Sequence, residues 1–392
     1  MPPTPTATDA ARGAGKPASG EGAPVDDNTP VTAPVDRSAA AAAAAGVKPV
    51  LSVRDLKTYF KLDEGVVRAV DGVSYDVYPG QVLGIVGESG CGKSMTMRSI
   101  LRIVEKPGEI VGGQILYHPK AQRGGELTAD GYMDIAKVPA RSKRMRQIRG
   151  GEIALIPQEP MSAFSPLHTV GSQLVEAIML HRDVSRREAR QIAIDSLRDV
   201  GIPSPEQRVD AYSWQLSGGL RQRAIIAMAL ACNPKVLIAD EPTTAVDVTT
   251  QAQILDLIKR LQSEHNSSIL FITHDLGVIA QLVDDVVVMY LGKVMEQGPV
   301  DAIFHDSLHP YTRALLKSMP SMDSSPRVQL PTIEGSIPHP FNRPEGCPFH
   351  PRCPDAIPGK CDRYVPALVE MEPGRKVACF LHSDAVEGEE PA

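Results

Sequence analysis

The apolar run Val82-Leu83-Gly84-Ile85-Val86 leads directly into Gly87-Glu88-Ser89-Gly90-Cys91-Gly92-Lys93-Ser94, and no other stretch restricts the fold as tightly. A short segment that is apolar at every position suits a strand buried on both faces, as in a parallel sheet covered by helices. Glycines at Gly87, Gly90 and Gly92 would let backbone N–H groups approach a polyphosphate closely, and the helix start that follows presents further unpaired N–H groups to it. In such a loop Lys93 supplies a positive charge to the β and γ phosphates, and the Ser94 hydroxyl reaches Mg²⁺. The alternative is a chance glycine-rich turn, which the buried strand before it and the helical stretch after it argue against.

The rest of the chain repeats that pattern. Apolar strands are expected at Ile153–Ile156, Val236–Ala239, Ile269–Ile272 and Val286–Met289, separated by helical stretches at Val170–His181, Arg186–Val200 and Thr249–Glu264. Buried strands alternating with helices predict an α/β fold with a largely parallel sheet. The alternating segments Leu51–Leu56 and Gly72–Val77 suit half-buried strands. With 392 residues, 42% of them hydrophobic, the chain can bury one large core and a small appended domain.

Residues 1–47 are rich in Pro, Ala, Gly and Thr and are expected to be disordered, with a short helix over Ala39–Ala45 as the alternative. After Ser318 prolines recur through Pro354, so 319–392 is expected to be a separate, loop-rich module. A net charge of -6 offers no basic footprint for nucleic acid. No run approaches the roughly 20 apolar residues that span a bilayer; Ala224–Ala231 is far too short, and the start lacks a basic flank followed by an apolar core. A soluble or peripheral, cytoplasmic chain is the expectation.

Mg²⁺ bound at a phosphate loop needs a carboxylate. The strand Val236–Ala239 ends in Asp240-Glu241, where Asp240 can hold the metal and Glu241 can act on the attacking water as general base. Read alone, two such acids could be a solvated turn. Together with the glycine loop they indicate an ATPase or GTPase without saying which kind.

The segment Leu216-Ser217-Gly218-Gly219-Leu220-Arg221-Gln222-Arg223 resembles the signature motif of ABC ATPases, and the resemblance extends from Leu51 to about Pro320. It implies a RecA-like mixed sheet with an antiparallel β subdomain and a helical signature subdomain at about 159–230, within an ATPase domain of 48–318. Residue by residue it implies that Phe60 stacks on adenine and that Gly87, Ser89, Gly90, Cys91, Gly92, Lys93, Ser94, Met95 and Gln158 bind ATP. Ser94, Gln158 and Asp240 would serve Mg²⁺; Glu241 and His274 would be catalytic, His274 touching the γ-phosphate. Ser217, Gly218, Gly219 and Gln222 would close over the ATP of a partner subunit, and Ala245-Val246-Asp247 would form a dimer contact. The departures from the family pattern, Leu220 and Val246, keep apolar side chains.

Within that family, Gly84–Gly90, Thr243–Thr249 and His309-Pro310-Tyr311-Thr312 resemble the importers of oligopeptides and dipeptides, as does the tail around Gly346-Cys347-Pro348-Phe349-His350-Pro351-Arg352-Cys353-Pro354. With Cys361 and Cys379 the tail reads C-x5-C-x7-C-x17-C. Four thiolates suit either tetrahedral Zn²⁺ or a [4Fe–4S] cluster. The resemblance implies the cluster, with zinc and metal-free thiols as alternatives. It also implies a second ATPase subunit (a paralogue, or an identical copy), two membrane permeases, an extracytoplasmic solute-binding protein, and a place on the cytoplasmic face of the membrane. Peptide is the implied cargo, nickel or another small solute the alternative. The rival class is a soluble ABC ATPase acting on ribosomes or DNA, against which stand the single glycine loop and the lack of a long heptad run.

Overall fold

A computed structural model describes residues 37–119, 127–159, 163–244, 247–319 and 333–388. In chain order the first elements are α1 (Ala39–Ala44), β1 (Leu51–Leu62), β2 (Gly65–Val77), β3 (Val82–Val86), α2 (Lys93–Ile100), β4 (Gly108–Tyr117), β5 (Met133–Asp134), α3 (Lys143–Gly151) and β6 (Ile153–Ile156). A helical section follows: α4 (Val170–His181), α5 (Arg186–Asp199), α6 (Pro205–Arg208) and α7 (Gly218–Leu230). Then come β7 (Val236–Asp240), α8 (Val248–His265), β8 (Ser268–Ile272), α9 (Leu276–Leu282), β9 (Asp285–Tyr290), β10 (Lys293–Pro299), α10 (Val300–His305) and α11 (Pro310–Lys317), and last β11 (Val369–Glu372) and β12 (Arg375–Val377).

Two sheets divide the work. One is antiparallel, in the order β2-β1-β4-β5; the other runs β11-β12-β10-β9-β3-β8-β7-β6. Strands β9, β3, β8, β7 and β6 are mutually parallel. They are apolar because both faces are covered: β3, β7, β8 and β9 are buried at every residue. Alternation still sorts the side chains. Leu83 and Ile85 pack toward the antiparallel sheet, while Val82 and Val86 join the larger core under the helices. Since β3 lies between β8 and β9, the glycine loop leaves mid-sheet from a carboxyl end, the edge at which α/β sheets build ligand sites.

Helix starts follow their caps. Ser185 and Glu188 form a capping box on α5, Thr169 caps α4 and Ser217 caps α7.

Two expectations need correction. Disorder does not extend over 37–47: Ser38 caps α1, the Ala39 N–H donates to Asp285 Oδ2 at 2.7 Å, and Arg37 donates to Gln262. These anchors give the alanine run a surface to fold against, while residues 1–36 lie outside the described residues. Nor is the tail separate, because β12 pairs antiparallel with β10 and carries β11 onto the edge of the main sheet. The two strands fit between prolines: Pro366 precedes β11, and Pro373 lies in the turn that joins it to β12.

Strand β10 went unrecognised because it is polar and buried together: Glu296 is fully buried and accepts the Leu308 and His309 N–H groups at 2.7 and 3.0 Å. His309 accepts the Tyr311 N–H through Nδ1 at 2.9 Å. Burial, with nearby His382 and Arg313, pulls its pKa down to about 3. The folded chain thus holds His309 neutral where the unfolded chain, titrating near 6.5, binds a proton. Stability from this group is complete above pH ~6.5 and is lost as pH falls below it, by up to about 1.4 kcal/mol per pH unit. A His309→Gln chain should show a flatter fall of melting temperature between about pH 6.5 and 5 than the parent; equal slopes would remove His309 as the source.

Candidate functional site

The glycine loop is shaped partly by protein contacts. A Cβ on Gly92, at φ +105°, would lie 2.3 Å from the Ala69 carbonyl oxygen, and one on Gly87 would lie 2.2 Å from that of Met289. Gly90 instead combines φ +80° with open space around it. The phosphate approach expected of all three glycines therefore fits Gly90, whereas Gly87 and Gly92 let the loop press against β2 and β9.

Ser89 is exposed, and Met95 packs partly into the core below the loop. The Cys91 side chain is buried, its thiol pKa is raised by burial, and its N–H donates to the Glu88 carbonyl at 3.3 Å. The thiol belongs to the core, not to a ligand surface. The Lys93 ammonium donates to the Gly87 and Glu88 carbonyls at 2.7 and 3.1 Å, so the charge is held over the loop.

Ser94 on α2 donates to Asp240 Oδ1 at 3.0 Å, joining the loop to the end of β7 across the intervening β8. Burial, and then the charge of Glu241, push the Asp240 pKa up, against the Ser94 hydrogen bond and the Arg98 and Lys93 charges. A hydroxyl and a desolvated carboxylate converging on one point are hard oxygen donors of the kind Mg²⁺ takes, and a cation there would offset the cost of burying the carboxylate. These residues fit that ion.

Glu241 has φ +47°, a left-handed conformation that costs a residue with a side chain about 1–2 kcal/mol. Its N–H is fixed on the Ile272 carbonyl at 2.8 Å. The strained turn aims the carboxylate at three partners: Gln158 Nε2 at 2.9 Å and Thr244 Oγ1 at 3.1 Å on Oε2, and His274 Nδ1 at 3.1 Å on Oε1. His274 is exposed at the end of β8, while the Glu241 side chain is only 15% exposed. Gln158 thus meets Glu241, not the Ser94–Asp240 pair. Phe60 sits half-buried on β1 with its ring against Gly108, two residues from Thr58, whose hydroxyl bonds Ser99 of α2 at 2.8 Å.

The signature residues form a second group. Ser217 is exposed and accepts the Leu220 N–H, Gly218 is open, and Gly219 faces Thr250, which Asp247 caps at 2.9 Å. Signature loop and Asp247 are therefore neighbours; Ala245 and Val246 lie outside the described residues. Gln222 needs correction as a residue that reaches a partner. It is 1% exposed and donates to the Pro242 carbonyl at 2.7 Å, tying α7 to the turn that follows Glu241.

The cysteine tail is the third group. Cys347 is buried and its N–H donates to the Cys361 carbonyl at 2.8 Å, while the Cys361 sulfur accepts the Ile357 N–H at 3.3 Å. Burial, with the other thiols nearby, pushes the pKa of Cys347 up to about 12 and that of Cys353 to about 11, and raises that of Cys379. The four share one locale. Among the described residues, however, no three Cys, His, Asp or Glu side chains are grouped so that they could hold a metal ion.

Sequence reasoning overlooked two residues that border the glycine loop. Arg352, from the cysteine tail, pairs with Glu88 of the loop at 2.8 Å, and the Tyr311 hydroxyl accepts the Glu88 N–H at 3.0 Å. Both lie in segments noticed only as family marks, and nothing in their spacing points to the loop.

Residues 70–244 match the family described as ABC transporter, and residues 295–361 that described as oligopeptide/dipeptide transporter, C-terminal region. The chain is 45% identical over 336 residues to an oligopeptide transport ATP-binding protein of Bacillus subtilis, covering 86% of this chain and 97% of that one. It is 42% identical over 335 residues to a dipeptide transport ATP-binding protein of Escherichia coli, again covering 86% and 97%. A solved dimeric ATP-binding cassette bound to ADP and phosphate shares the fold, with a TM-score of 0.54 at 23% identity over 64% of this chain and 98% of that one.

Proposed function

Since the chain belongs to the ATP-binding proteins of oligopeptide and dipeptide ABC transporters, we propose that it hydrolyses ATP at the Lys93–Glu241 site to drive peptide uptake across the cytoplasmic membrane. The observation that carries this reading is the Glu241 carboxylate, held in a strained turn between Gln158 and His274 and beside the Ser94–Asp240 pair.

In this reading the glycine loop and Lys93 bind the phosphates, and Phe60 meets the base. Ser94 and Asp240 would hold Mg²⁺, which supplies charge neutralisation at the phosphates when bound, while Gln158 holds Glu241. Glu241 would accept a proton from the attacking water, and His274, its exposed neighbour, would meet the terminal phosphate. Ser217 and Gly218, exposed at the start of α7, offer a helix N-terminus to the nucleotide of a second ATPase subunit, a paralogue or an identical copy. Asp247 lies alongside for the same contact.

Attachment to the membrane is through partners: among the described residues no helix is long and apolar enough to cross it. Leu167 and Leu180 are 81% and 70% exposed, and Leu180 lines a cleft of about 370 Å³ with Val175, Met179 and His168 on the helical section after Gln158. Apolar side chains so exposed ask for a partner, and this face suits the two permease subunits. An extracytoplasmic binding protein would choose the cargo. The reading is tested in the assembled transporter by the ATPase rate with binding protein loaded with a dipeptide, an oligopeptide or a nickel complex. Stimulation by peptide is expected; stimulation by nickel alone would reassign the cargo.

A [4Fe–4S] cluster in the tail, with Zn²⁺ as the alternative, is a finer part of the proposal. It rests on the donor set alone, four thiols in one locale. Purification without oxygen followed by iron, sulfide and zinc analysis decides it, and a chain holding none of these would end the metal reading.

A further inference from the structure

We propose that Arg352 is a positioning residue for the phosphate loop, which makes the cysteine tail a structural part of the ATP site. This rests on the reading of Gly87–Ser94 as the loop that binds ATP.

The contact is built on both sides. The Arg352 side chain is 4% exposed and meets Glu88 as a fork, Nη1 to Oε2 at 2.8 Å and Nη2 to Oε1 at 3.1 Å. Its three remaining donors are also used: Nε on the Glu334 carbonyl at 3.0 Å, Nη1 on the Tyr290 hydroxyl at 3.2 Å and Nη2 on the Ile333 carbonyl at 3.4 Å. The guanidinium is therefore fixed before it meets the loop. Phe349, fully buried three residues earlier, packs its ring edge-to-face with Tyr290 and tilted against Tyr311, with centroids 5.4 and 5.2 Å away. Tyr311 accepts the Glu88 N–H, so one aromatic cluster anchors both the arginine and the loop backbone.

Glu88 is thus gripped at three points: its carboxylate by Arg352, its N–H by Tyr311 and its carbonyl by Lys93. Two consequences follow. Bidentate pairing fixes direction as well as distance, so the loop keeps the shape that presents its N–H groups. Arg352 also cancels a carboxylate charge standing within the loop itself, where triphosphate would otherwise meet like charge. An arginine flanked by Cys347 and Cys353 carries any rearrangement of the tail to the nucleotide.

The test measures ATP affinity by calorimetry on the purified full-length chain. Arg352→Gln should weaken ATP binding about tenfold or more, since it leaves Glu88 uncompensated beside the phosphates. Adding Glu88→Gln should restore affinity to within about threefold of the parent, because the repelling charge is gone. A purely structural role for Arg352 would not be rescued by that second change. Should Arg352→Gln fail to fold, Arg352→Met, which is also neutral and keeps the length of the stem, gives the same comparison with and without Glu88→Gln. Affinity within twofold of the parent in the single variant, or a loss that Glu88→Gln leaves unchanged, would overturn the proposal. A parent chain that bound no ATP would overturn the site reading and this inference with it, whereas normal parent binding with unaffected variants overturns this inference alone.

Discussion

Glu241→Gln is expected to lower ATP turnover by about 10²–10⁴-fold while leaving ATP binding near the parent value. The amide keeps the shape of the side chain and can still bond Gln158, Thr244 and His274, but it cannot accept a proton from water. Because the backbone strain at φ +47° belongs to the position and not to the carboxylate, the fold should be unaffected. ATP should then persist at the site, and a nucleotide-bound pair with the second ATPase subunit should accumulate. Steady-state phosphate release and size-exclusion chromatography with ATP check both halves. Turnover within tenfold of the parent would remove Glu241 as the base.

Asp240→Asn should abolish Mg²⁺-dependent turnover by a comparable factor, about 10²-fold or more, through loss of a charged ligand. Its stability should move the other way. Burial and the Glu241 charge hold the Asp240 pKa up, so the carboxylate is costly in the metal-free chain, and a neutral isostere removes that cost. Thermal melting without Mg²⁺ should thus rise or hold while activity disappears. A Mg²⁺ dependence of ATPase like the parent's would show that the Ser94–Asp240 pair is not the metal position.

Much of this site could be read along the chain because its parts sit on strand ends. Lys93 and Ser94 follow β3, Asp240 and Glu241 end β7, and His274 follows β8, so a parallel sheet with β8 between β3 and β7 brings them to one edge. Apolar strands buried on both faces declare themselves by composition. What stayed hidden has the opposite character. Glu296 and Gln297 are polar yet buried within β10, and so mask a strand. Gln222 falls in a recognisable motif but points inward to Pro242, since which face of α7 is buried depends on what packs beside it. Arg352 and Glu88 are 264 residues apart, and neither side chain's local pattern contains the other. The tail looked detached because prolines dominate its first half; its attachment comes from two short strands and one buried arginine, signals too brief for periodicity to register.

The central claim, that this chain powers peptide import from the Glu241 site, is tested most directly by uptake into vesicles. The chain would be reconstituted with its second ATPase, permeases and peptide-loaded binding protein, with ATP supplied on the side facing this chain. Labelled peptide should accumulate with the parent chain and fall to the no-ATP background with Glu241→Gln. Equal uptake by the two, or none by a parent complex that hydrolyses ATP, would contradict the account.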